Sequence, residues 1–234
     1  MNRLRAWLVH IFTASGAVAG FLGVTAVVDF RYRDAFLWML VAMAIDATDG
    51  LLARAARVKE HLPGIDGGRI DDTVDYLTFV FLPMLLLYHS RALPAGWEIP
   101  VVSIVLVCSL YGFVAPDAKT DDHFFTGFPS YWNIVAFYLH VARLAPLVNA
   151  TVLLVLSALV FWRVGYVYPS RTTTLRPLTI ALGVVWALTV LAMVLMLPDV
   201  PSWLVAVSFF YPVYYIVLSA ALNLRRRRPA LART

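Results

Sequence analysis

Long apolar runs, separated by short polar segments, make up almost the whole chain. A helix of about 20 apolar residues is long enough to cross a bilayer. The pattern predicts about eight such helices, at residues 1–28, 34–57, 70–88, 97–115, 129–144, 147–168, 177–197 and 202–224. Because the run at 129–144 is short, six or seven crossings are the alternatives. The sequence therefore predicts an all-α integral membrane protein, a polytopic helical bundle.

The first predicted helix contains a glycine pair at a spacing of four, Gly16 and Gly20. Small residues at this spacing let two membrane helices pack closely. Glycine is also common in membrane helices in general. A helix-packing face and an incidental pair are both open at this point.

The composition supports a membrane protein. The 234 residues are 61% hydrophobic and have a mean hydropathy of +0.78, which excludes an ordinary soluble domain. We expect one membrane domain at residues 1–224 and a basic tail at residues 225–234. The net charge of +5 does not indicate nucleic-acid binding, because the cations are spread over short loops and the tail.

The distribution of Lys and Arg predicts an orientation. If the N-terminus is cytoplasmic and eight helices alternate, fourteen of the nineteen Lys and Arg residues lie on the cytoplasmic side. Such an excess is typical of cytoplasmic segments, so we expect both termini in the cytoplasm. The Arg225–Arg228 run is then either an orientation signal or a contact for anionic lipids.

Aspartates occur at regular spacing within the second predicted helix. Asp46, Asp49, Gly50 and Ala53 are spaced i, i+3, i+4 and i+7, so they share one face of the helix near its C-terminal end. Carboxylates at membrane depth are costly, and we therefore treat them as functional candidates.

A second group begins the next helix. Gly67, Asp71 and Asp75 are spaced i, i+4 and i+8 and also share one face. Since one group ends a helix and the other begins the next, both are expected at the same membrane surface. Facing carboxylates repel one another unless a cation lies between them, and oxygen ligands favour magnesium, manganese or calcium. The pattern predicts a divalent-cation site.

The complete pattern resembles the signature of the CDP-alcohol phosphotransferases, which is Asp-x-x-Asp-Gly-x-x-Ala-Arg, a spacer, and Gly-x-x-x-Asp-x-x-x-Asp. All of its fixed positions are present, as Asp46, Asp49, Gly50, Ala53, Arg54, Gly67, Asp71 and Asp75. The spacer, residues 55–66, is longer than in most of that family. In this respect the chain is similar to the bacterial phosphatidylcholine synthases within the family.

The resemblance implies an enzyme that transfers the phosphatidyl group from CDP-diacylglycerol to an alcohol and releases CMP. It implies two divalent ions, Mn²⁺ or Mg²⁺, with Asp75 as the catalytic base. The implied metal ligands are Asp46, Asp49, Asp71 and Asp75, and the implied CDP-diacylglycerol contacts are Gly50, Ala53, Arg54 and Gly67. It further implies a six-helix core with extra helices, a homodimer, and a bacterial inner membrane with the active site at the cytoplasmic face.

Residues 119–133, between the fourth and fifth predicted helices, are rich in aromatic and polar side chains. Aromatic faces bind quaternary ammonium groups, and the Gly-Phe-Pro-Ser-Tyr-Trp-Asn run resembles a stretch of phosphatidylcholine synthases. Choline is therefore the expected alcohol, and the candidate contacts are Phe125, Phe128, Tyr131 and Trp132. An interfacial aromatic belt, which needs no ligand, is the alternative.

Two further functions stay open. Serine, glycerol phosphate or inositol phosphate as the alcohol would make the chain a phosphatidylserine, phosphatidylglycerophosphate or phosphatidylinositol-phosphate synthase. A cation-binding membrane transporter would also need carboxylates, although the sequence has no internal repeat of the kind that many transporters show.

Overall fold

A computed structural model describes residues 2–231 except 121, 123 and 170, with the side chains of the last five residues of this range left out. The helices are α1 (Asn2–Val28), α2 (Tyr32–Ala55), α3 (Val58–His61), α4 (Gly67–Asp75), α5 (Leu82–His89), α6 (Glu98–Val114), α7 (Trp132–Ala142), α8 (Pro146–Phe161), α9 (Arg176–Leu195), α10 (Ser202–Ser208) and α11 (Phe210–Leu231). Two short strands are β1 (Phe124–Thr126) and β2 (Gly165–Val167). The end of the predicted basic tail, residues 232–234, lies outside the described residues.

Each predicted membrane helix has a helix at its position. Among the described residues, four stretches are long and apolar enough to cross a membrane, namely Asn2–Val28, Tyr32–Ala55, Arg176–Leu195 and Ser202–Arg226. The apolar helices α6, α7 and α8 are shorter. A helical membrane architecture is therefore confirmed, and the number of crossings stays a prediction.

The third predicted helix contains a π-helical segment. α4 ends at Asp75, the π-helix covers Tyr76–Phe81, and α5 begins at Leu82 without an intervening loop. Single π-helical turns within longer helices occur frequently at functional sites. In this protein the π-helix begins directly after one of the signature aspartates.

The predicted helix over residues 147–168 is wrong at its C-terminal end. α8 ends at Phe161, and β2 follows at Gly165–Val167. β2 pairs antiparallel with β1, so its backbone forms hydrogen bonds to another strand and not to the preceding turn of a helix. The residues of β2 include Tyr and Val, which fit a strand well.

α1 packs closely against the α4–α5 helix through a row of glycines. Gly16, Gly20 and Gly23 all face this helix, and a Cβ built at Gly16 would lie 2.5 Å from Val74 Cγ1. A Cβ at Gly23 would meet Leu82 in the same way. The small residues let the two backbones approach, so the structure confirms a helix-packing face at this pair.

The two aspartate groups lie at one end of the bundle, which we call the acidic end. The start of α1 packs on α3 through a small apolar cluster of Ala6, Val58 and Leu62. Further along α1, the His10 ring packs on Gly67 at the start of α4. The N-terminus of α1, the C-terminus of α2 and the N-terminus of α4 are therefore neighbours.

Candidate active site

The start of α4 is fixed by a side-chain cap. The Asp66 carboxylate accepts hydrogen bonds from Gly68 N at 3.1 Å and from Arg69 N at 3.3 Å. An aspartate at this position satisfies backbone N–H groups that have no partner within the helix. The cap sets where the helix begins, and thus which face carries Asp71 and Asp75.

Three carboxylates from two helices converge on one small volume. Oxygen atoms of Asp46, Asp49 and Asp71 all lie within 4.8 Å of one another. Asp49 is buried, and burial strengthens the repulsion among carboxylates compared with water. A donor set made only of carboxylate oxygens fits a hard divalent cation, which would remove this repulsion. The predicted convergence of the two aspartate groups is confirmed for these three residues.

Asp75 lies one turn beyond Asp71 on α4. It is not one of the three converging carboxylates, but it interacts electrostatically with Asp46 and Asp71. It is half-buried and is followed directly by the π-helix. Asp75 therefore lies beside the three converging carboxylates without being one of them.

Lys119 connects the acidic group to the loop that precedes α7. Its Nζ lies 3.3 Å from Asp72 Oδ1 and 4.0 Å from Asp71 Oδ2. Burial by itself lowers the pKa of the Lys119 ammonium, but attraction to Asp72 and Asp71 outweighs burial and raises the pKa above its ordinary value. Lys119 also forms a backbone bridge with Phe125. One residue thus joins the carboxylates to strand β1.

Four aromatic rings from three segments lie next to each other near the carboxylates. The ring centres of Phe125 and Tyr168 are 4.6 Å apart, those of Phe125 and Tyr131 are 6.4 Å apart, and those of Tyr131 and Tyr215 are 6.1 Å apart. The Tyr131 phenol interacts electrostatically with Asp46. We call Phe125, Tyr131, Tyr168 and Tyr215 the aromatic cluster.

The other two predicted choline contacts have packing partners in the core. Trp132 is fully buried, and its Nε1 donates a hydrogen bond to Ser109 Oγ at 2.6 Å, which ties α7 to α6. Phe128 packs with its ring 4.9 Å from that of Trp132. The choline contact predicted for this pair from the sequence stays a prediction.

The segment after β1 passes very close to α8. Gly127 has φ +80°, in the left-handed region, and a Cβ there would overlap the Val160 carbonyl oxygen. Its backbone N–H donates to Val164 O, and that of Phe128 donates to Leu159 O. Only glycine fits this backbone conformation and approach without strain. The sequence Gly-Phe-Pro thus fixes the two-stranded sheet of β1 and β2, which we call the β1–β2 sheet, against the end of α8.

Comparison of the sequence with those of known proteins identifies the family of the chain. No model of a protein family matches the chain. The phosphatidylcholine synthase of Pseudomonas aeruginosa is 39% identical over 215 residues, which cover 90% of each chain. That of Rhizobium johnstonii is 36% identical over 98% of this chain and 94% of its own. That of Legionella pneumophila is 37% identical over 92% and 87%, respectively.

The chain belongs to the phosphatidylcholine synthases. Identity above 30% over nine-tenths or more of the chain is what assigns the family. Membership in this family of enzymes also argues against the alternative of a cation transporter. Together with the apolar helices, it identifies a membrane protein.

The remaining signature residues lie around the acidic group. Arg54 folds back along α2, so that its Nη1 would be 3.3 Å from a Cβ at Gly50. Gly67 is covered by His10, whose Cε1 would be 2.9 Å from a Cβ there. The missing side chain of Gly67 thus makes room for a ring of α1, a packing requirement that the signature alone does not indicate.

Three residues at the acidic end were not predicted from the sequence as parts of the site. Tyr168 falls at the end of a segment that the apolar pattern assigned to a helix, and Tyr215 falls inside another. His10 is buried in α1 and its Nε2 has no hydrogen-bond partner among the described residues. None of the three stands at a spacing that marks it, because each reaches the site through contacts between distant segments.

Proposed function

We propose that this protein transfers the phosphatidyl group of CDP-diacylglycerol to choline, which forms phosphatidylcholine and releases CMP. The observation that supports this most strongly is the full-length similarity to phosphatidylcholine synthases, combined with three converging carboxylates beside an aromatic cluster. The carboxylates suit a metal-bound diphosphate, and the aromatic rings suit a quaternary ammonium group.

The proposed metal ligands are Asp46, Asp49 and Asp71, with Asp75 shared by a second ion. When bound, Mn²⁺ or Mg²⁺ neutralises charge on the diphosphate and on the departing CMP. Asp49, the buried member, is positioned by α2, and Asp71 by the capped start of α4. These helices hold the carboxylates in place before any ligand arrives, so little rearrangement is needed.

Asp75 is the proposed general base. Its carboxylate takes the proton of the choline hydroxyl as the hydroxyl oxygen bonds to the phosphatidyl phosphorus. The bond from that phosphorus to the oxygen of CMP breaks, and CMP leaves with the electron pair. Its electrostatic interaction with Asp46 and Asp71 supports this role, because a base beside the proposed metal ligands would be near an alcohol bound there.

The nucleotide side of the site is proposed to involve Gly50, Ala53, Arg54 and Gly67. Gly50 and Ala53 present little bulk on the face of α2 that carries the aspartates. Arg54 lies one turn after Gly50, where a planar guanidinium can bind phosphate oxygens in pairs.

The choline subsite is proposed to be the aromatic cluster. The trimethylammonium group of choline has no N–H to donate, so it binds to aromatic faces and nearby negative charge. Phe125 and Tyr131 keep their predicted role. Tyr168 and Tyr215 replace Phe128 and Trp132, because they contact Phe125 and Tyr131 directly.

We further expect about eight crossings, both termini in the cytoplasm, a bacterial inner membrane and a homodimer. Contacts support the alternation of the helices. The loop after α6 reaches Asp72 and the end of α11 reaches Asp122, both at the acidic end. The end of α7 lies at the opposite end, where Arg143 donates to Pro198 O.

The test supplies the purified protein with CDP-diacylglycerol, Mn²⁺ and labelled choline. We expect labelled phosphatidylcholine and one CMP per lipid formed, with no product after chelation of the metal. Parallel reactions with serine, glycerol phosphate and inositol phosphate should give no lipid product. A product with one of these alcohols in place of choline would refute the proposed substrate.

A further inference from the structure

The C-terminal helix α11 lies along the free edge of β2. Tyr215 Oη donates to Val167 O at 3.0 Å, and Ser219 Oγ accepts from Val167 N at 3.1 Å. Asn223 Oδ1 accepts from Gly165 N at 3.2 Å. These three helix residues are spaced i, i+4 and i+8, so one face of α11 bonds the strand edge that β1 leaves unpaired.

Arg226 continues this face and reaches the other strand. Its Nε lies 2.7 Å from Asp122 Oδ2, just before β1. Its guanidinium carbon lies 5.1 Å from the centre of the Phe124 ring. The first part of the basic tail therefore holds β1 against α11, through an ion pair and a cation–π contact.

The β1–β2 sheet in turn carries two of the four residues of the aromatic cluster. Phe125 is the middle residue of β1 and pairs with Tyr166 of β2, and Tyr168 follows β2 directly. A shift of the β1–β2 sheet relative to α11 would separate Phe125 and Tyr168 from Tyr215. The proposed choline subsite depends on this arrangement of rings, so it requires that the β1–β2 sheet is held in place.

We propose that Arg226 is a positioning residue for the alcohol subsite. It fixes the β1–β2 sheet, so that the aromatic cluster is assembled for the quaternary ammonium group. This inference rests on the proposed function. It also gives the tail a role different from the orientation signal or the lipid contact predicted from the sequence. This role depends on one arginine and not on the total charge of the tail.

The experiment compares Arg226→Ala with Arg225→Ala. Both variants remove one positive charge from the tail, but Arg225 lies about 100° away around the helix and is exposed. An exposed ion pair and a cation–π contact are individually weak, and their joint loss should raise the KM for choline by about three- to tenfold. The KM for CDP-diacylglycerol should stay within about twofold of wild type in both variants.

A second pair of variants tests the ion pair itself. Asp122→Asn keeps an oxygen that can accept the hydrogen bond from Thr120 Oγ1 but removes the charge that faces Arg226. If the two side chains act together, Arg226→Ala should change the KM for choline less in the Asp122→Asn background than in wild type. Arg226→Lys should restore part of the effect, since it keeps the charge and loses the planar stacking.

Amide hydrogen exchange of residues 124–126 and 165–167 supplies a readout that needs no substrate. Faster exchange in Arg226→Ala than in Arg225→Ala supports the proposal. Equal effects of the two variants on KM and exchange would overturn it, because only tail charge would then matter. If the wild-type protein makes no lipid from choline, the proposed function is overturned instead. The exchange comparison would still show whether Arg226 holds the β1–β2 sheet in place.

Discussion

Replacing Gly16 by alanine tests whether the close packing of α1 positions the aspartates of the candidate site. The new Cβ would lie 2.5 Å from Val74 Cγ1, about 1 Å closer than a favourable carbon–carbon contact of about 3.5 Å. Val74 is β-branched and has one strongly preferred rotamer in a helix, so it does not turn away at low cost. The relief must come from a shift of α1 or of α4, and Val74 is next to Asp75.

The expected size of the effect follows from that distance. Overpacking of this kind costs about 1–3 kcal/mol, partly offset by the better helix propensity of alanine, at about 0.5–1 kcal/mol. A displacement of about 1 Å at a catalytic group can reduce the rate by about 100-fold. We therefore expect kcat to fall by about 10- to 100-fold. The net destabilisation of up to about 2.5 kcal/mol should lower Tm by up to about 5–10 °C.

The assay measures phosphatidylcholine formation and Tm for Gly16→Ala and for two companions. Gly64→Ala is the matched control, because a Cβ at Gly64 would have no atom within 4 Å, and it should behave like wild type. Val74→Ala in the Gly16→Ala background removes the clashing methyl and should recover most of the lost activity. If Gly16→Ala has the kcat and Tm of Gly64→Ala, close packing of α1 does not position the site.

Three other substitutions test the site directly. Asp71→Asn removes a proposed metal ligand and should reduce kcat by at least about 100-fold. Asp72→Asn should reduce kcat only mildly, because that residue contacts Lys119. Equal reductions of kcat in the two variants would contradict the assignment of ligands. Asp75→Asn should abolish turnover yet leave CMP binding, measured by calorimetry with Mn²⁺, largely intact, and loss of both would make it chiefly a ligand. Tyr168→Ala should raise the KM for choline by about fivefold or more, while Tyr168→Phe keeps the aromatic face and should not.

The local spacing of residues made the aspartate site predictable. A helix places residues i, i+4 and i+8 on one face whatever surrounds it, so spacing alone assigns Asp71 and Asp75 to one face. The short connection from α2 to α4 limits how far apart the two groups can lie. The convergence of Asp46, Asp49 and Asp71 follows from these two constraints.

The aromatic cluster was predictable only in part. Phe125 and Tyr131 stand in a loop with unusual composition, which the sequence shows directly. Tyr168 and Tyr215 lie in apolar segments, where an aromatic residue is equally consistent with contact to lipid or to the core. Their place beside Phe125 depends on the pairing of β1 with β2, and a strand of three residues gives no clear periodic signal.

The sequence by itself determined the helical membrane architecture, the acidic faces of α2 and α4, and the family. Each of these depends on periodicity or composition within a short stretch of chain. The tertiary structure decided that His10 fills the space beside Gly67 and that the β1–β2 sheet brings Tyr168 next to Phe125. It also decided that Arg226 contacts Asp122 and Phe124. Those contacts join segments far apart in the chain, and only the packing of complete helices determines which distant residues become neighbours.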